Sequence, residues 1–383
     1  MADDQLPKQV FDWVPPERRQ RGQIVHYFNN RWPGSIAVSQ NNRYFCSFPG
    51  ALDGGNVYNS SNDNFQLGEF TDQSTDEVPY PSAAMNQPPG GPIDYTQSPP
   101  VGKAASNYFI GVQGLHMTPE DLLYVVDCGR SIDASGAQVF ASPGGPKIVV
   151  ISIANDTVIA TYILPPNIAG PTSLIAEVTV DTINGFIYVT DSSPEGVNAL
   201  ISVEAVYGIL PWCYGDPLYQ TQFDVFGDPT RASFLTNGIA GVDLAPGANT
   251  LCWKRVGGRS LYCVPTFVLR DFNTSDSEIS FYVRDYGETG ISVGCVFDSQ
   301  YVFYCGHMEQ DGLPNNAARS TDPMDPNGWS IDPMDPNGRS FDPMDMRPAM
   351  LLCLKTKFNE HSEEAKFLML NKLIFRKLYS FCF

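Results

Sequence analysis

Short runs of apolar and β-branched residues, broken by Gly, Pro, Asn and Asp, recur along this chain and predict strands in preference to helices. Residues 147–153 and 158–164 flank Ala154-Asn155-Asp156-Thr157 and read as a hairpin, because the turn residues tolerate the backbone angles a tight reversal needs. Residues 175–180 and 186–190 flank Asp181-Thr182-Ile183-Asn184-Gly185 and read as a second. Both faces of these strands carry apolar side chains, as a sheet packed between two neighbours requires. Further strands are expected at 24–28, 239–244, 251–253, 260–264, 279–284, 292–298 and 300–305, and helix signals are scarce.

One phrase is used twice. Leu122-Leu123-Tyr124-Val125-Val126-Asp127-Cys128-Gly129 returns as Phe186-Ile187-Tyr188-Val189-Thr190-Asp191-Ser192-Ser193, each a strand run ending at an Asp before small residues. Weaker echoes lie at 43–48, 260–265 and 301–306. Repeats at uneven spacing suit propeller blades with loops of variable length, since radial repetition leaves only short strand edges exposed. The fold class is therefore all-β, a β-propeller forming one main domain. Asp127 and Asp191 hold equivalent places, which favours an architectural task such as accepting turn N–H groups.

The rest of the chain divides around that domain. Residues 1–22 read as a flexible leader, 23–313 as the propeller, 314–349 as a low-complexity linker carrying Asp-Pro-Met-Asp repeats, and 350–383 as a basic tail, either helical or aberrant in origin. The Pro-rich stretch 77–106 is expected to be a long surface loop, because so many prolines exclude a central strand.

Composition narrows the partners. With 42 acidic against 24 basic residues the formal charge is −18, which repels phosphate backbones and favours small cations such as protonated amines. Nucleic acid is not expected as a partner. No apolar run is long enough for a membrane span, and Met1-Ala2-Asp3-Asp4-Gln5-Leu6-Pro7-Lys8 has none of the basic and apolar character of a secretory signal. Three N-x-S/T sequons begin at Asn59, Asn155 and Asn273. The nine cysteines form no C-x-x-C pair, so zinc is not expected, and Cys46, Cys128, Cys263 and Cys305 sit in apolar strand phrases where a buried thiol is expected more than a disulfide.

In their order these phrases resemble the major royal jelly protein and yellow protein family. Trp32-Pro33 followed by 42–49 resembles its first blade, 78–82 its Pro-Tyr-Pro-Ser, and 122–130 its Leu-Trp-Val-Leu-Asp-Thr-Gly-Arg. Residues 147–165 are similar to its hairpin ending in Leu-Pro, 176–181 to Asn-Asp-Ile-Val-Val-Asp, and 187–192 to Tyr-Ile-Ala-Asp-Ser. Residues 237–246 and 261–271 resemble the two phrases that follow. The resemblance implies a six-bladed propeller and an extracellular protein. The family's final Trp-Pro-Asp and Leu-Trp-x-x-Ser-Asn phrases are absent here, which leaves the last blade incomplete.

No catalytic signature stands out. His26, His116, His307 and His361 are scattered, and neither Gly-x-Ser-x-Gly nor a phosphate loop occurs, so no metal and no cofactor is expected. By resemblance a small-molecule site would use Glu177, Asn237, Gln310 and Asp311, with carboxylates holding an ammonium group and aromatic rings closing over its apolar part. The same residue types also cap turns in any propeller. The resemblance thus implies a binder of a small molecule, a biogenic amine or related aromatic, at the channel mouth. The alternative is an enzyme of the dopachrome-conversion or lactonase-like propeller type.

Overall fold

In a computed structural model, the structure describes residues 23–28, 31–71, 76–193, 199–204, 212–215, 221–224, 232–235, 238–256, 258–288, 292, 294–297, 302–305, 318–320, 329–330 and 352–356. Among them are five four-stranded antiparallel sheets, each ordered in space as in sequence or its reverse. Blade I comprises β2 (Ile36–Val38), β3 (Tyr44–Ser47), β4 (Leu67–Phe70) and β5 (Val78–Pro79), preceded by β1 (Gln23–Phe28). After a small hairpin of β6 (Ile93–Asp94) and β7 (Val101–Gly102), blade II comprises β8 (Val112–Met117), β9 (Leu122–Asp127), β10 (Lys147–Ser152) and β11 (Thr157–Ile163). Blade III comprises β12 (Ile175–Asp181), β13 (Phe186–Asp191), β14 (Ala199–Glu204) and β15 (Trp212–Gly215).

A two-stranded sheet follows, β16 (Thr221–Asp224) with β17 (Ala232–Leu235). Blade IV is β18 (Ile239–Leu244), β19 (Thr250–Arg255), β20 (Ser260–Pro265) and β21 (Arg284–Glu288). Blade V is β22 (Cys295–Phe297), β23 (Val302–Cys305), β24 (Ala318–Ser320) and β25 (Trp329–Ser330). Its last two strands lie within the stretch 314–349, and β26 (Leu352–Thr356), from the stretch 350–383, pairs in parallel with β1.

The period of two explains why these strands stack radially. On β9, Leu123 and Val125 enter an apolar layer shared with Ala37, Phe45 and Leu67 of blade I, whereas Tyr124 and Val126 enter one shared with Val178, Ile187 and Val189 of blade III. On β13, Ile187 and Val189 face back to blade II while Phe186 and Tyr188 join Val242, Leu251 and Trp253 of blade IV. On β19, Cys252 turns the other way and packs with Phe297, Phe303 and Cys305 of blade V. Blades II, III and IV are thus buried on both faces, each sharing one layer with the blade before it and one with the blade after it, while the second face of blade I packs with Phe28 of β1. The strands that begin each blade, β2, β8, β12, β18 and β22, touch in that order and line the axis. This is a β-propeller.

Polar contacts lock the first interface. Arg43 grips Glu69 through Nε (2.7 Å) and Nη2 (2.9 Å), and reaches blade II by donating to Ile153 O (2.7 Å) and Asp156 Oδ1 (2.8 Å). Tyr80 OH donates to the same oxygen (2.8 Å). Burial would raise the Asp156 carboxyl, but Arg43 and Tyr80 hold it below its usual value.

Three local expectations change. Residues 279–284 are not a strand: a helix spans Asp276–Tyr282 and the strand begins only at Arg284. A capping box starts that helix, with Ser275 N–H donating to Glu278 Oε2 (2.9 Å) and Glu278 N–H donating to Ser275 Oγ (3.4 Å). Within 77–106 lie β5, a helical turn at Ala83–Asn86 and the β6–β7 hairpin, so this stretch is more ordered than a loop, and Pro79 falls on an outer edge where its missing N–H does no harm. Cys263 and Cys305 are not thiols. They form cross-strand disulfides with Cys252 and Cys295, their register partners on β19 and β22. Cys46 and Cys128 are free and buried as expected, and burial pushes the Cys128 thiol up to about 12.

The inner strands of blades II and III approach so closely that a side chain at Gly114 does not fit: a Cβ there would lie 2.5 Å from Ala176 O and 2.9 Å from Glu177 Cα. Gly114→Ala is expected to lower the unfolding free energy by about 1–3 kcal/mol through overpacking. Gly54→Ala, whose Cβ would meet nothing nearer than Ile132 Cγ2 at 3.7 Å, should shift it by no more than about 0.5 kcal/mol. Urea unfolding of the two variants reads the difference.

Candidate functional site

The chain enters each inner strand at the same end of the ring, and there three consecutive blades carry the same irregularity. On β8 the register slips between Val112 and Leu115, on β12 between Ile175 and Val178, and on β18 between Ile239 and Gly241. In each case one extra residue is accommodated on the inner strand, a β-bulge that bends the strand and re-aims its side chains. The residues at these bulges are Gln113-Gly114, Ala176-Glu177 and Ala240. Gln113 and Glu177 are both buried.

Neighbouring hydroxyls satisfy the backbone groups that the bulges displace. Ser47 Oγ of blade I donates to Gln113 O (2.6 Å), and Leu115 N–H donates to Ser35 Oγ (3.1 Å). In blade III, Glu177 N–H donates to Thr190 Oγ1 (3.0 Å) on the adjacent strand. The bulges are therefore held by specific partners.

The two repeated aspartates brace this end. Asp127 Oδ1 accepts the N–H of Gly111 (2.9 Å) and Gly129 (2.9 Å), while Oδ2 accepts from Ile110 N–H (2.8 Å) and Lys147 Nζ (2.8 Å). Asp191 Oδ1 accepts the N–H of Leu174 (2.9 Å) and Ser193 (3.0 Å). Both aspartates thus staple the start of an inner strand to the exit of the next, and Gly129, at φ 68°, makes the turn after Asp127. The pair differs in one respect. Lys147 faces Asp127 across β9–β10, whereas Ala199 faces Asp191 across β13–β14. Asp191 Oδ2 is buried with no hydrogen bond of standard geometry among the described residues, and burial raises the carboxyl above its ordinary value. At the equivalent place in blade IV stands Arg255, paired with Ile239, its guanidinium 4.4 Å from the Tyr262 ring centre.

At the other end of the inner strands, Asp243 ties three blades: Oδ1 accepts from Thr179 Oγ1 (2.9 Å) of blade III and Oδ2 from the Phe297 N–H (2.9 Å) of blade V.

Of the four residues assigned to a site by resemblance, Glu177 lies on the bulge of β12. Asn237, Gln310 and Asp311 lie outside the described residues. Gly238, the residue after Asn237, donates its N–H to Ser192 O (3.3 Å) at the entry end of blade III. Gln113 was missed by the sequence reading; the Gln-Gly pair within an apolar strand was the available signal, since an interior glycine marks a bulge or a close approach. His116 lies partly buried on β8, and His307 is outside the described residues. Among the described residues no group of three His, Cys, Asp or Glu side chains could hold a metal ion, and no helix is long and apolar enough to cross a membrane.

Radial sheets of this kind with bulged inner strands define a propeller whose axis can present polar groups. The family described as Major royal jelly protein matches residues 110–321, more than half of the chain, and the protein belongs to that family. No curated protein matches. Among solved structures, Kuenenia stuttgartiensis Hydrazine Synthase is 13% identical, with 76% of this chain and 72% of that one covered and a TM-score of 0.47. A functionally unknown protein from Desulfotomaculum acetoxidans DSM 771 is 11% identical, with 74% and 68% covered and a TM-score of 0.35. Both likenesses are too slight to bear on fold or function.

Removing the cation beside one aspartate and the charge of the other should have opposite effects on stability. Lys147→Met leaves the buried Asp127 without its cation and is expected to cost about 3–5 kcal/mol. For Asp191 the folded-state value lies above the unfolded one, so its contribution is complete at pH below the unfolded value and is lost as pH rises through the folded value. Asp191→Asn should therefore match the wild type below about pH 4 and exceed it in stability at neutral pH, as measured by denaturant unfolding across that range.

Proposed function

We propose that this protein is an extracellular binder of a small organic cation, an aromatic amine in its protonated form, held at the entry end of the propeller axis with Glu177 as its counter-charge. The observation that carries the proposal is the repeated bulge, which sets a glutamate and a glutamine on neighbouring inner strands at the end braced by Asp127 and Asp191. Such preorganised polar groups suit a ligand with a charged end that they can orient. The net charge of −18 favours approach of a cation. Family resemblance adds Asn237, Gln310 and Asp311 as further contacts. Export is supported by family membership and by the two cross-strand disulfides, which persist in oxidising compartments.

Calorimetric titration with protonated phenethylamine- and indole-type amines, each alongside a neutral analogue of the same shape, tests the proposal. The amines should bind and the neutral analogues should not. Glu177→Gln should weaken amine binding at least tenfold, ~1.4 kcal/mol, in protein whose far-ultraviolet circular dichroism matches the wild type. Equal affinity for amine and neutral analogue, or unchanged affinity in Glu177→Gln, would overturn it.

A further inference from the structure

The outer edges of the blades differ in how well they are protected. Radial packing buries the faces of each sheet but leaves its outermost strand with one row of unpaired N–H and C=O groups, a template for pairing with another chain. In blade I that strand, β5, is the two-residue Val78–Pro79, short and ended by a proline. In blade IV it is β21, which carries exposed Arg284 and Asp285 and a glycine at φ 83°. In blades III and V it is four and two residues long.

Blade II is the exception. Its outer strand β11, Thr157-Val158-Ile159-Ala160-Thr161-Tyr162-Ile163, has seven residues without a charge, a proline or a glycine. Val158 is 40% and Ile159 54% exposed. Its one built-in irregularity is a bulge, where Val150 and Ile151 of β10 pair with Ala160 and Val158 and leave Ile159 over. A long β-branched edge of this composition is the kind that pairs with a second copy.

A sequon stands at the head of this strand. Asn155-Asp156-Thr157 forms the end of the β10–β11 turn, and all three residues are exposed. Asp156 sits in the left-handed region at φ 53° and is anchored by Arg43 and Tyr80, so the turn is fixed to blade I as well as to its own hairpin. The other two sequons are also exposed but lie away from any long edge. Asn59 follows a short 3-10 turn in blade I, and Asn273 is in the loop before the helix Asp276–Tyr282, its Nδ2 donating to Asp271 Oδ1 (3.1 Å).

We propose that Asn155 carries an N-linked glycan that covers the outer edge of blade II and keeps β11 from pairing with another chain. The proposal rests on the export argued above. In the transfer, the Asn155 Nδ2 bonds to the anomeric carbon of an oligosaccharide carried on a polyprenyl pyrophosphate. The anomeric C–O bond breaks, the polyprenyl pyrophosphate leaves with the electron pair, and the nitrogen gives up one proton. Modification precedes folding, so the fold need only leave room for the sugar, as the exposed turn does. A hydrated, branched sugar next to Thr157 shields the edge where no charged side chain does.

The test uses the full chain with a secretion signal appended, produced in a glycosylating insect-cell host, so that entry to the secretory route is imposed and only the sequon is judged. Natural export is read separately from the chain without the added signal. Enzymatic release of N-glycans in heavy-oxygen water followed by peptide mass spectrometry should convert Asn155 to labelled Asp. Asn155→Gln and Thr157→Ala should each shift from monomer to dimer or larger species in gel filtration, whereas Asn59→Gln should elute with the wild type. Adding Ile159→Lys to Asn155→Gln should restore the monomer, which a general folding defect would not allow. Unmodified Asn155 in the secreted protein overturns the proposal, and so does a monomeric Asn155→Gln.

Discussion

Every other feature of this molecule depends on sheets that are apolar on both faces. A strand such as β9 cannot sit on a solvated surface, because Leu123 and Val125 point one way and Tyr124 and Val126 the other, and all four are buried. Each blade therefore needs a neighbour on either side, and the arrangement that supplies one to every blade is radial. Layers shared in this way couple the blades. A side chain lost from β13 loosens blade III against blade II or blade IV according to its parity, so single core substitutions should act across interfaces instead of within one sheet.

Shared packing of apolar faces sets the distance between blades but not their register along the axis. Directional contacts do that. Gly114 lets β8 come against Ala176 and Glu177, Ser47 and Ser35 meet the displaced backbone of the β8 bulge, and Asp243 joins blades III, IV and V through two accepted hydrogen bonds. A bulge normally relaxes a strand, yet on β8 and β12 the displaced backbone groups find hydroxyl partners in Ser47, Ser35 and Thr190. The result is an irregular backbone carried on a regular frame.

Much of this was legible in the residues. The repeated phrase ending at Asp127 and Asp191 is the second strand of two consecutive blades, and the carboxylates do accept turn N–H groups, because a strand period and a fixed exit turn leave a direct imprint on sequence. The hairpin around Asn155 fell within a residue or two of its strand ends for the same reason. What failed first depended on the register within a hairpin. Cys252 and Cys263 lie on strands whose facing positions cannot be counted until the turn between them is known, so their pairing was hidden. The helix at Asp276–Tyr282 was missed for a different reason: Ile279, Phe281 and Val283 alternate like a strand, but the capping box at Ser275 and Glu278 decides the local structure first. Of the candidate site, Glu177 came from resemblance, and the bulge that distinguishes it is visible only in the pairing of β12 with β13.

The three blades that share the bulge have kept one position and changed its charge. Where Asp127 is matched by Lys147, the pair is buried and electrically closed. Where Asp191 faces Ala199, two backbone donors remain but the cation is gone, and burial favours the neutral carboxyl. Where Arg255 replaces the aspartate altogether, its guanidinium lies against an aromatic ring. The two aspartates differ in what surrounds the charge: Asp127 has an ammonium group 2.8 Å away, whereas burial raises the Asp191 carboxyl above its ordinary value. Glu177 stands outside the staple, two positions into the inner strand that Asp191 holds in place.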